Sequence, residues 1–110
     1  MIKKSFFLSS LFWISCRHTV PQPAVQACNT SYETDVKPII NTKCTIDGCH
    51  GSNGLADLDN FEALKIRADN GNIYKYVFTL QMMPPSNASQ MTEDEKRILK
   101  CWLDNGAKEN

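Results

Sequence analysis

A chain of 110 residues carrying 12 Lys and Arg against 12 Asp and Glu has room for one small domain and no basic excess with which to grip a polyanion. Nucleic acid is set aside as a partner on that balance.

Lys3 and Lys4, followed by the apolar stretch Phe6 to Ile14, read as an export signal over residues 1–15, too short to span a membrane. The mature protein is expected outside the cytoplasm, in the periplasm or on a cell-envelope membrane. Trp13-Ile14-Ser15-Cys16 resembles a bacterial lipobox, with Cys16 as the residue that takes lipid and becomes the new N-terminus. Val25-Gln26-Ala27 is a rival cleavage site and Cys28 a rival lipidated residue, but both lie far from the apolar core that signal peptidases cut beside. An uncleaved leader is the remaining alternative. Residues 16–27, with Pro21 and Pro23 and few large apolar side chains, read as an extended tether.

The domain proper covers residues 28–110. Between Thr34 and Lys43 the apolar positions Val36, Ile39 and Ile40 recur at helical spacing, and Pro38 is tolerable if the helix starts close to Thr34 or Asp35. This helix delivers the chain to Cys44-Thr45-Ile46-Asp47-Gly48-Cys49-His50, two thiols and an imidazole placed as covalent haem attachment requires. In the usual C-x-x-C-H form the cysteines make thioethers to the haem vinyl groups and the adjacent histidine ligates the iron. Here the spacing is C-x4-C-H, and Gly48 gives the longer loop the backbone freedom to bring both sulfurs to the porphyrin edge. Cys44 and Cys49 are the expected attachment points and His50 the proximal ligand. Zinc is the rival, yet it lacks a second ligand pair, since His18 lies in the leader or tether and the other cysteines are scattered. Reduced thiols placed by chance are the last reading.

Gly51-Ser52-Asn53-Gly54 is a loop by composition, and Asn60 caps a short helix to Asp69 with Phe61, Leu64 and Ile66 as its apolar positions. Asn70-Gly71-Asn72 breaks it. Ile73, Tyr76, Val77 and Leu80 then form one apolar helical face that ends before Pro84 and reads as core packing. Thr92-Glu93-Asp94-Glu95 is a capping box opening a last helix. Ile98, Leu99, Trp102 and Leu103 make its buried stripe, Lys96, Arg97 and Lys100 its wet face, and Gly106 its C′ stop. No strand signal stands out, so the fold class is all-α. A domain this small buries little apolar surface alone, and the chain without haem is expected to be partly unfolded.

The five cysteines divide into Cys16 for lipid, Cys44 and Cys49 for haem, and two left over. Spare thiols pair in an oxidising compartment, so Cys28 and Cys101 are the expected disulfide, tying the start of the domain to its last helix; two free thiols are the alternative. A His-ligated haem that passes electrons commonly takes methionine as its second axial ligand. Met83, in a segment stiffened by Pro84 and Pro85, is favoured, with Met82 the runner-up and Met91, beside the capping box, a packing residue. Packing without ligation stays open for the Met82-Met83 pair.

These residues together resemble small bacterial monohaem class I cytochromes c, in particular the planctomycete-type cytochrome c domain. The matching residues are Asp35-Val36-Lys37-Pro38-Ile39-Ile40, Cys44, Gly48-Cys49-His50-Gly51, Phe61-Glu62-Ala63-Leu64, Met83-Pro84-Pro85, and Leu99 to Ala107 with Trp102 and Gly106. They span most of the chain beyond Tyr32. The resemblance implies one covalent haem c on Cys44 and Cys49, with His50 proximal and Met83 distal, in a compact cytochrome c-like helical fold whose first and last helices pack together. The longer spacer departs from the family pattern.

The function so implied is electron transfer between redox protein partners of a respiratory or other chain in the bacterial cell envelope, with membrane contact through lipid on Cys16. One alternative is a haem-based sensor, in which Met83 leaves the iron open to a diatomic gas. Another is a structural module held by zinc or disulfides. An enzyme is not expected, because no paired carboxylates and no nucleophile with its base stand out. Lys75, Lys96 and Lys100 read as a solvated face rather than a docking site, and Arg67, Tyr74 and Trp102 carry donors suited to haem propionates without any being assigned.

Overall fold

A computed structural model of the chain describes residue 16, residues 28–51 and residues 57–110. The stretches expected to be an export signal and, beyond Cys16, a tether with His18 lie outside the described residues, as do residues 52–56, which include Ser52 to Gly54 of the expected loop. Among the described residues the chain forms helices and no strand, as an all-α domain should.

The first helix starts earlier than the apolar spacing indicates. Ser31 caps it: its hydroxyl accepts from the Thr34 N–H at 3.4 Å, and its own N–H donates to the Asp35 carboxylate at 2.8 Å. A π-helical turn, Tyr32–Val36, runs directly into α1, Lys37–Lys43. Pro38 therefore sits within a continuous helix rather than in its first turn. The wide turn is the physical reason it is tolerated. The Val36 and Lys37 N–H groups reach back five residues to the Ser31 and Tyr32 carbonyls, shifting the ladder where a proline ring would otherwise meet the carbonyl four residues behind it.

Helix α2, Phe61–Asp69, opens as expected on Asn60, whose side chain accepts from the Ala63 N–H at 2.8 Å. Leu64 is fully buried and Phe61 half-buried, but Ile66 is 61% exposed and takes no part in the core. Gly71, at φ +77°, turns the chain into α3, Asn72–Tyr74, which continues as a second π-helical turn, Lys75–Thr79. That widening rotates the positions beyond it, so the face expected from Ile73 to Leu80 holds for Ile73, Tyr76 and Val77, which line one cleft, and loses Leu80. Ile73 is buried and Val77 half-buried, while Tyr76 and Leu80 are exposed.

Helix α4, Glu93–Asp104, has both halves of its capping box: the Glu95 N–H donates to Thr92 Oγ1 at 3.2 Å and the Thr92 N–H to Glu95 Oε2 at 2.8 Å. Leu99 and Trp102 are buried, and Lys96, Arg97 and Lys100 pair along the surface with Glu93, Asp94 and Asp104. Gly106, at φ +88°, ends the helix in a Schellman turn, its N–H donating to the Leu103 carbonyl and that of Ala107 to the Trp102 carbonyl.

Tyr32 stacks edge-on to Phe61 at 4.8 Å and lies 5.9 Å from Trp102, so the first helix, α2 and α4 meet in one aromatic cluster. Cys28 and Cys101 form a disulfide with Cα atoms 5.5 Å apart, the usual span. It engages the thiol that lipidation at Cys28 would need. Around it, the Asn105 amide donates to the Cys28 carbonyl at 2.7 Å and the Tyr32 N–H to Asn110 Oδ1 at 2.9 Å. No helix among the described residues is long and apolar enough to cross a membrane.

Candidate functional site

The segment after α1 closes on itself. The Cys44 and Thr45 N–H groups both donate to the Ile40 carbonyl at 2.9 Å, and the His50 N–H returns to the Cys44 carbonyl at 3.1 Å. Between them the Cys49 N–H donates to the Ile46 carbonyl, and Gly48 takes the left-handed φ of +83° that the turn requires. A Cβ on Gly51 would stand 3.2 Å from the Thr45 carbonyl oxygen, so the residue after His50 has to be small for the chain to pass there. The Leu58 N–H then donates to the His50 carbonyl at 2.9 Å. Six residues from Cys44 to Cys49 are thus a built loop, with Cys44 half-buried, Cys49 exposed and His50 half-buried. Burial pushes the Cys44 thiol up to about 11, so it stays protonated at neutral pH.

The methionine segment is held from both ends. Where the second π-helical turn runs out, the Met82 and Met83 N–H groups both donate to the Tyr76 carbonyl, at 2.9 and 3.1 Å. Further on, the Gln90 side-chain amide donates to the Pro85 carbonyl at 2.7 Å and the Ala88 carbonyl at 3.1 Å. Met83 is 38% exposed and Met82 58%, whereas Met91 is buried in the core as a packing residue.

These pieces border one cleft. It encloses about 190 Å3 and is open on one side, smaller than the ~300–1,000 Å3 of typical ligand and cofactor sites. Ile40, Leu58, Leu64, Ile73, Val77 and Leu99 make its apolar walls; Cys44, His50 and Met83 all line it; Arg67, Asn72 and Tyr76 complete it. Cys49 and Met82 are not part of the lining. Of the three donors considered for propionates, Arg67 alone reaches the cleft, and Trp102 instead donates its indole N–H to the Lys108 carbonyl at 2.9 Å.

The lining offers an imidazole, a thiol and a thioether in apolar surroundings and contains no carboxylate. Among the described residues, the cleft included, no three His, Cys, Asp or Glu side chains gather so as to hold a metal ion. Leu58 contributes to the cleft without having carried any signal in the sequence, and Asn72 signalled only the break after α2; their place follows from where α3 and the chain after His50 pack. Comparison with family models, with curated proteins and with solved structures gives no match.

Proposed function

We propose that the protein is a monohaem c-type cytochrome that transfers electrons in the bacterial cell envelope. What carries this reading is the convergence of Met83 with Cys44 and His50, which share one closed loop in a separate stretch of the chain, on one apolar cleft. Haem c held there would supply one-electron chemistry. Cys44 and Cys49 are the residues to hold it through thioethers, His50 and Met83 the donors for its iron, and Arg67 and Asn72 the polar groups available to its carboxylates. The apolar walls exclude water, which favours the less charged state of a redox centre. Redox proteins are the partners this function needs. An envelope location rests on the leader motif and on lipid at Cys16, which is exposed.

Export from a host competent in cytochrome c maturation, followed by mass measurement of the denatured protein, tests the attachment. The expected mass is that of the mature chain plus one haem, with the addition absent from the Cys44→Ala, Cys49→Ala double variant. An exported wild-type chain of unmodified mass would sink the proposal. The partial exposure of Met83 supports a second reading, a haem protein whose iron opens to diatomic ligands; carbon monoxide binding by the reduced wild-type protein separates the two.

A further inference from the structure

Lys43 is the last residue of α1 and the immediate neighbour of Cys44, yet its side chain points away from solvent, with 15% of its surface exposed. Its ammonium donates to Ser89 Oγ at 2.9 Å and to the Gln90 carbonyl at 3.0 Å, and stands 3.8 Å from Glu95 Oε2. Each partner leads on. The Gln90 amide donates to the Pro85 carbonyl, two residues beyond Met83, and Glu95 Oε2 also closes the capping box of α4. A single ammonium therefore ties the residue beside the first cysteine to the segment that carries Met83 and to the start of the last helix.

We propose that Lys43 is a positioning residue that holds Met83 over the cleft at a fixed distance from the Cys44 to His50 loop, and so keeps the sixth coordination position closed. This rests on the cytochrome reading above. The segment from Leu80 to Gln90 contains no α-helix and presents mostly exposed side chains. Apart from the Lys75 and Tyr76 carbonyls at its start, its hydrogen bonds to the rest of the described residues run through Lys43. Charge-assisted hydrogen bonds of this kind are stronger than neutral ones, and an unbraced loop lets a weak thioether ligand dissociate.

Carbon monoxide binding to the reduced holoprotein tests it, since a six-coordinate iron admits the gas only when Met83 leaves. Lys43→Gln should bind carbon monoxide at least about tenfold more readily than wild type at equal gas pressure, and Lys43→Arg, which keeps the charge and donors, should return toward wild type. A Lys43→Gln protein with wild-type helical circular dichroism and wild-type resistance to the gas would overturn the proposal. If that variant does not accumulate, Gln90→Ala breaks the same chain at its next link and carries the same two outcomes. Should the wild-type protein carry no haem, the cytochrome reading fails by itself. The brace is then read by amide hydrogen exchange at Met82 and Met83, faster in Lys43→Gln if Lys43 holds the segment and unchanged if it does not.

Discussion

Burial of the Cys44 thiol leaves a signature that can be read without any cofactor. In the folded chain its pKa is raised from the ordinary 9.0 to about 11, so between those values the unfolded chain gives up a proton that the folded chain keeps. The resulting contribution to stability is complete below about pH 9 and is lost as pH climbs through about 11. Denaturant midpoints of the haem-free protein should therefore fall over that window more steeply than those of Cys44→Ala. Tyr32, whose phenol burial shifts the same way, bends both profiles alike and drops out of the difference. Parallel profiles would mean that Cys44 is as wet as Cys49. At this scale the sequence is informative where chemistry demands a residue type: the cysteines and histidine announce themselves, Gly48 has the positive φ its loop called for, and Met83 rather than Met82 lines the cleft. It is silent where a residue matters through its reach, as with Lys43, whose partners lie 46 and 47 positions away.

Among the elements, the ends of helices are the legible parts, because a cap is a local contract between a side chain and the next few N–H groups. Asn60, Thr92 with Glu95, and Gly106 all act where their neighbours indicate. Thr92→Ala should cost about 1 kcal/mol, read as a lower denaturant midpoint at unchanged slope, and an unmoved midpoint would show that Glu93 or Asp94 caps in its place. The two π-helical turns are the illegible parts. A pattern counted at 3.6 residues per turn has no means of showing an inserted residue, so Pro38 reads as near the helix start when it lies inside, and Leu80 reads as one face with Ile73, Tyr76 and Val77. Ile66 fails for a simpler reason, since one apolar residue on a nine-residue helix does not settle which way the helix is turned.

Across the whole molecule, the two ends of the described domain are joined covalently and through the Tyr32, Phe61 and Trp102 cluster. The disulfide links residues 73 apart in sequence, a loop whose closure restricts the unfolded chain by about 4 kcal/mol. Replacing Cys28 and Cys101 together with serine should lower stability by roughly that much, and a double variant as stable as wild type would mean that the aromatic cluster and the hydrogen bonds around it hold the ends together unaided. The disulfide pair could be anticipated by counting thiols, whereas the part played by Tyr32 could not, because nothing local marks it as core. What the cleft is for turns on its occupant. The most direct measurement is the visible spectrum of the exported protein, oxidised and reduced, before and after acidic organic extraction of loose haem. A cytochrome of the proposed kind keeps its pigment through extraction and shows sharp low-spin bands that carbon monoxide leaves unaltered. A colourless protein from a host that matures cytochromes c would contradict it.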